Sequence, residues 1–244
     1  MTRPLTLALV LTLTAAAAHA STYYYANWTA DTLSSLLPGS VTGTIGTPQG
    51  TVAVTYTGDV APWTQINNLG NNYFSAYPSV FTSSTVSNLP SNVDLITLSQ
   101  SHAFVDTITF STPVTNPILD IVSLGQSGNS VSYNFNAAPV ILSQGASFFG
   151  GCPNCLFVGN GKTLTGVEGD GVVEFLGTFS QLSWTTTGGE AWNGVTVAVA
   201  GEAISQDVSP DQAADTPEPA SWTGLFMAAG LITVARRRPN RRCQ

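Results

Sequence analysis

Apolar and polar residues alternate over much of the chain between residues 21 and 200. The clearest stretch is 51–57 (TVAVTYT), in which Val52, Val54 and Tyr56 alternate with threonine and alanine. A period of two predicts a β-strand that buries one face. Similar runs predict further strands at 93–99, 104–110, 118–124, 130–135, 172–176, 178–185 and 194–200.

Turn-forming residues separate these runs at intervals of about 8–12 residues, and no convincing amphipathic helix interrupts them. The pattern predicts an all-β domain over 21–200, built as an antiparallel β-sandwich or jelly roll. Gly169-Asp170-Gly171 predicts a hairpin turn between strands at 163–168 and 172–176. The segment 58–92 shows no periodicity, so it is either a functional segment or a stretch whose strands the pattern misses.

The N-terminus has the composition of a signal peptide. Arg3 precedes an apolar run over 5–17, and Ala18-His19-Ala20 forms an A-x-A site. Signal peptidase should therefore cut between Ala20 and Ser21, so that residues 1–20 are removed and the domain is exported.

The C-terminus, residues 216–244, has three parts in a fixed order: Pro217-Glu218-Pro219, an apolar run over 222–235, and an arginine cluster. Fourteen helical residues extend about 21 Å, less than the roughly 30 Å of a bilayer core. The run therefore predicts one short transmembrane helix, with its arginines on the cytoplasmic side. A permanent single-span anchor is the alternative. Residues 201–215 have the composition of a disordered linker.

This three-part tail resembles the PEP-CTERM sorting tail of bacterial exported proteins, in which the arginines correspond here to Arg236, Arg237 and Arg238. The resemblance covers only residues 216–244. It implies an exosortase, a membrane-embedded transpeptidase, as partner. It also implies an inner-membrane intermediate, a cut near Pro217-Glu218-Pro219, and delivery to the cell surface or the extracellular polysaccharide matrix.

Charge narrows the possible partners. The chain has seven basic residues, but only Lys162 lies within 21–215, where thirteen acidic residues give a formal charge of 1 − 13 = −12. Binding to nucleic acid needs several lysines or arginines to neutralise phosphates, so this class of partner is excluded. Attraction to anionic lipid is excluded for the same reason.

The cysteines and histidine offer little chemistry. Cys152 and Cys155 lie in a predicted loop, and export to an oxidising compartment favours a disulfide between them. Two free thiols or a redox site are the alternatives. A zinc site requires about four ligands, and the domain offers only Cys152, Cys155 and His102, so we set zinc aside. His102 is the only histidine of the exported chain, and no G-x-S-x-G motif accompanies it.

Glu168, Asp170 and Glu174 form the densest group of carboxylates. They are solvated charges, part of a Ca²⁺ site, or a paired-carboxylate glycosidase centre. A second feature is a set of aromatic residues in predicted loops or edges, where they either pack in the core or stack on sugar rings. This set is Trp28, Trp63, Tyr73, Phe74 and Tyr77.

The sequence thus predicts no catalytic residue. It favours an exported, non-enzymatic protein with a structural or binding role at the cell surface, where extracellular polysaccharide is a candidate partner. A carbohydrate-active hydrolase on the same scaffold is one alternative. A protein that binds ice or another surface is the other, and a flat threonine-rich face would support it.

Overall fold

The computed structural model describes residues 20–99 and 103–201. The predicted signal peptide up to His19, His102, and residues 202–244 with the linker, the transmembrane helix and the sorting motif lie outside the described residues. In chain order the described elements are β1 (Tyr23–Tyr25), β2 (Asn27–Thr32), β3 (Gly39–Thr47), β4 (Gly50–Gly58), α1 (Pro78–Phe81), β5 (Ile96–Leu98), β6 (Val105–Thr115), β7 (Ile118–Leu124), β8 (Val131–Phe135), β9 (Pro139–Gly145), β10 (Leu156–Val158), β11 (Thr163–Gly166), β12 (Gly169–Phe175), β13 (Thr178–Thr187) and β14 (Asn193–Ala200).

The strands form two antiparallel sheets. One has six strands in the order β1-β14-β7-β12-β9, with β5 also paired to β14. The other has eight strands in the order β10-β11-β8-β13-β6-β4-β3-β2. The prediction of an all-β, antiparallel domain is therefore confirmed.

A single core lies between the two sheets. Val173 and Val197 of the six-stranded sheet belong to the same buried cluster as Tyr56 and Trp184 of the eight-stranded sheet. The rings of Tyr56 and Trp184 lie 6.0 Å apart, and both side chains are almost completely buried. Because the period-2 pattern places one face of each strand inward, this shared core gives a sandwich-like arrangement.

The six-stranded sheet is also buried on its outer face. There Ile118, Val122 and Val172 pack in a second cluster with Phe74 and Phe81, two residues of the irregular segment 58–92. Burial on both faces explains why every residue of β7 is buried and why its sequence is a continuous apolar run. The segment that lacks periodicity is therefore a covering layer, which contains α1.

A buried carboxylate fastens this covering segment. Asp94, fully buried, accepts hydrogen bonds from the backbone N–H of Trp28 at 2.9 Å and of Asn68 at 2.6 Å. Asn68 has a positive φ of 57°, a left-handed conformation that asparagine tolerates. One side chain thus joins the segment to the start of β2.

The two ends of the sandwich differ. At one end, which we call the terminal end, Tyr23 pairs with Ala200, so that both ends of the described domain meet. At the opposite, distal end, β14 begins where Asn193 pairs with Leu98. The connections 125–130, 146–155 and 188–192 lie at this distal end, because they join strands there, and residues 59–64 follow the end of β4 at the same end.

Asp94→Ala should lower the free energy of unfolding by about 2–3 kcal/mol, because it leaves backbone donors without an acceptor at about 1–3 kcal/mol each. Asp31→Ala is the matched control, since Asp31 is exposed on β2 and should change stability by less than about 0.5 kcal/mol. Denaturant titration measures both variants. Equal stabilities of the two would contradict the role assigned to Asp94.

Candidate functional site

A groove opens at the distal end between the loop 62–73 and Trp192. Its volume is about 500 Å³, and its lining includes Trp63, Leu69, Tyr73 and Trp192. Trp63 is 57 % exposed and Leu69 is 70 % exposed, although both are large apolar side chains. We call this groove, with the adjoining Phe148 and Phe149, the distal aromatic groove.

Four aromatic rings contact one another along this groove. Tyr73 is buried at the centre, with ring centroids 5.2 Å from Phe148, 5.8 Å from Phe149 and 5.3 Å from Trp192. Phe149 and Trp192 are 4.6 Å apart. These separations are typical of favourable aromatic pairs, so the rings hold one another in place.

A tight turn presents the two phenylalanines. Ser147 and Gly150 exchange backbone hydrogen bonds of 2.8 and 3.1 Å, which places Phe148 and Phe149 at the two central positions. Cys152 and Cys155 follow directly and are joined by a disulfide, with Cα atoms 5.2 Å apart. The disulfide restricts the loop that carries the aromatic turn.

The facing loop is shaped by Gln65. Its side chain accepts a hydrogen bond from the N–H of Asn71 at 2.5 Å and donates to the carbonyls of Asn71 and Val93 at 3.1 and 2.7 Å. Gly70 lies over this amide with a φ of 136°, and a Cβ there would stand 2.0 Å from the Gln65 Oε1. Only glycine fits at this position.

The structure separates the aromatic residues that the sequence grouped. Trp63 and Tyr73 line the groove, whereas Trp28, on the edge strand β2, and Phe74, in the covering segment, are buried in the two clusters and follow the core-packing alternative. Tyr77 is partly buried against the covering layer. The sequence reasoning missed Phe148, Phe149 and Trp192. The signal that could have found the first two is Phe-Phe-Gly-Gly, a pair of large apolar residues beside turn-forming glycines.

Glu168, Asp170 and Glu174 do not form one site. Asp170 is at the distal end of β12, whereas Glu174 lies four residues on, about 13 Å along the strand. Glu174 accepts a hydrogen bond from the Tyr23 hydroxyl at 3.2 Å near the terminal end. A Ca²⁺ ion bound through these three residues is therefore excluded, because its ligands lie within about 2.6 Å of it.

The predicted hairpin at 169–171 is also wrong. Gly169, Asp170 and Gly171 belong to β12, which pairs with β7 and β9. The preceding strand β11 pairs with β10 and β8 in the other sheet. The chain crosses between sheets at Glu168, whose positive φ of 54° makes the bend.

Glu168 and Asp170 instead lie near Glu190. Asp170 accepts from the N–H of Ser123 at 2.9 Å, and Glu168 accepts from the Ser123 hydroxyl at 2.8 Å. Glu190 accepts from the N–H of Gly125 at 2.8 Å. The three carboxylates thus hold the end of β7 and the start of the connection 125–130. Within 20–99 and 103–201, no group of three His, Cys, Asp or Glu residues is placed to hold a metal ion.

Burial raises the pKa of several carboxyl groups. It raises the pKa of Glu190 to about 7, and repulsion from Glu168 and Asp170 adds to the effect. It raises the pKa of Asp170 to about 6 and that of Asp106 to about 6. In each case desolvation disfavours the charged form.

Among the described residues, no helix is long and apolar enough to cross a membrane. Comparison of the chain with protein-family models, with curated proteins and with solved structures finds no match.

The raised pKa values predict an unusual pH dependence of stability. Between about pH 4, where these groups titrate in the unfolded chain, and about pH 7, the folded state binds more protons than the unfolded state. Stability should therefore fall as the pH rises through this window, by up to about 3 kcal/mol for a group whose pKa rises by about two units. Denaturant titrations at pH 5 and pH 7.5 measure the difference.

Glu190→Gln should reduce this decline, because the variant has no carboxyl to ionise at residue 190. A stability that is constant or rises between pH 5 and pH 7.5 in the unsubstituted protein would refute the assignment.

Proposed function

We propose that this chain is an exported, non-enzymatic protein that an exosortase-like transpeptidase processes at its C-terminus and delivers to the cell surface or the extracellular polysaccharide matrix. The observation that carries the proposal is the order of parts in residues 216–244: Pro217-Glu218-Pro219, an apolar run, and an arginine cluster. The all-β domain that precedes the tail then has a structural or binding role outside the cell.

The start of the fold supports the proposed signal cleavage. Ser21 donates its N–H to the carbonyl of Thr85 at 2.7 Å and accepts from the N–H of Ser87 at 3.0 Å. Within the described residues, which start at Ala20, the first backbone hydrogen bonds are those of Ser21, the residue that would become the new N-terminus, and Ala20 is exposed. A cut between Ala20 and Ser21 would remove no described hydrogen bond of the domain.

The placement of carboxylates supports binding rather than hydrolysis. The side chains that line the groove between the loop 62–73 and Trp192 include no carboxylate within the described part of the chain. Asp94 and Glu190, by contrast, are buried and bonded to backbone N–H groups. A glycosidase needs two carboxyl groups facing the same bound sugar, so we propose no hydrolytic activity for this groove.

The mature protein should begin at Ser21 and end near Pro217-Glu218-Pro219. Intact-mass measurement of the protein recovered from its native host tests both ends.

Replacement of Arg236, Arg237 and Arg238 by alanine should weaken membrane retention and reduce the amount of tail-free protein, because the helix loses its cytoplasmic stop. A mature mass that still contains residues 222–244 would refute processing, as would equal yields from the unsubstituted and triple-variant chains.

A second candidate function is adhesion to ice or another ordered surface. The outer face of the eight-stranded sheet carries rows of hydroxyl groups in register across β3, β4 and β6. Thr42, Thr55 and Thr109 form one such row, and Ser40, Thr57 and Thr107 form the next.

Neighbouring strands are about 4.8 Å apart and alternate residues about 6.7 Å apart, so these hydroxyls form a regular, uncharged array. The array forms without sequence repeats, because strands from distant parts of the chain supply its rows.

If this face binds ice, Thr55→Lys at the centre of the array and Thr109→Lys at the end of the same row should each abolish the inhibition of ice growth, because a long charged side chain disrupts the row of hydroxyls. Gln49→Lys is the control, since Gln49 is exposed in the turn at 47–50 outside the array. Thermal hysteresis measures the effect. Absence of hysteresis in the unsubstituted protein would eliminate the ice-binding function.

A further inference from the structure

We infer that the distal aromatic groove binds a neutral polysaccharide, with the faces of its sugar rings against Trp63, Phe149 and Trp192. The inference rests on the proposed non-enzymatic binding role and adds the class of ligand and the residues that contact it.

The first observation is the exposure of large aromatic rings. Trp63, Phe148 and Phe149 are 57 %, 55 % and 42 % exposed. A single exposed apolar residue is ordinary, but neighbouring exposed rings beside a groove mark a binding surface. The turn at Ser147–Gly150 holds two of these rings toward solvent, where a turn sequence normally has polar or small residues.

The second observation is that the rings of Phe148, Phe149 and Trp192 are held in place before a ligand arrives. Tyr73 supports Phe148, Phe149 and Trp192 from below through ring contacts. The Asn193 amide donates a hydrogen bond of 3.0 Å to the Glu190 carboxyl, and this bond joins the residues on either side of Trp192 and restricts its backbone. A ligand that contacts Phe149 and Trp192 therefore binds without the loss of entropy needed to order those two side chains.

The third observation is the chemistry of the groove. The nine described residues that line the 500 Å³ cavity are all uncharged and include Asn71 and Thr64, and the adjoining Phe148 and Phe149 are apolar. Asn71 Nδ2 donates to the Tyr73 hydroxyl at 3.4 Å, a long hydrogen bond that a ligand hydroxyl can replace. Apolar rings beside a few neutral polar groups match a sugar, which has an apolar C–H face and a rim of hydroxyls.

Charge decides between neutral and acidic polysaccharides. Residues 21–215 have a formal charge of −12, and Lys162 is their only lysine or arginine. No cation lines the groove to bind a uronic acid or a sulfate group. An anionic chain is therefore repelled, whereas a neutral chain encounters no electrostatic barrier.

The groove also has a size that suits part of a polymer. It lies at the distal end of the described domain. Its volume of about 500 Å³ is within the range of sites for small ligands, which suits a few sugar units of a longer chain.

The test is affinity electrophoresis of the full-length chain in a zwitterionic detergent without sugar groups. Gels contain hydroxyethylcellulose, dextran or galactomannan as neutral probes, and alginate as the acidic probe. We expect retardation by at least one neutral probe and none by alginate. Trp63→Ala and Phe149→Ala should each weaken binding about tenfold or more, as expected for aromatic residues at the centre of a binding site.

Phe157→Ala is the matched control, because Phe157 is 50 % exposed on β10 and does not line the groove. The Phe157→Ala variant should bind the neutral polysaccharide as tightly as the unsubstituted chain does. Near-ultraviolet circular dichroism checks that each variant is folded. Binding to no neutral probe overturns the inference, as does equal weakening by all three variants.

A second copy of this chain is the other occupant that the groove could take, and sedimentation velocity without polysaccharide tests it. Self-association that Trp63→Ala abolishes would overturn the inference and make the groove an interface between copies. These outcomes are independent of the tail, whose processing the mass measurement tests.

Discussion

The scarcity of cations is the constraint on which the described domain depends. Asp94, Asp106, Asp120 and Glu190 are buried, and Lys162, the only lysine or arginine in 20–99 and 103–201, is exposed. Buried carboxylates in most proteins pair with lysine or arginine. Here hydrogen bonds from backbone N–H groups stabilise Asp94, Asp106 and Glu190 instead. Each of these carboxylates therefore fixes a loop, and the loops at the distal end take their shape from such bonds.

Structure that depends on hydrogen bonds to buried side chains is hard to predict from the sequence. The strands at 51–57, 118–124 and 194–200 were predictable, because alternation or a continuous apolar run follows directly from burial on one or two faces. The covering layer was not predictable, because the sequence of 58–92 has no hydrophobic periodicity. The segment is fixed by hydrogen bonds of Asp94 and Gln65, whose partners Trp28 and Val93 are distant from them in the sequence. Nothing local distinguishes such a carboxylate from a solvated one.

The candidate site was predictable only in part for a related reason. Trp63 and Tyr73 were identified as loop aromatics, but Trp28 looked the same in the sequence and is a core residue. Phe148, Phe149 and Trp192 come from loops about forty residues apart, and only the pairing of β9, β12, β7 and β14 brings those loops to one end. Their proximity is a property of the topology, which no short motif encodes.

The pairing of β1 with β14 has a mechanical consequence. Ala200 lies at one end of β14, and this strand is hydrogen-bonded to β7 on one side and to β1 and β5 on the other. A load applied at Ala200 and resisted at the distal end is directed along β14, across bonds that lie perpendicular to it. The bonds then carry the load together in shear, instead of breaking one after another as in an unzipped hairpin. Extension of the domain along β14 should therefore need a larger force than separation of the same strands one bond at a time.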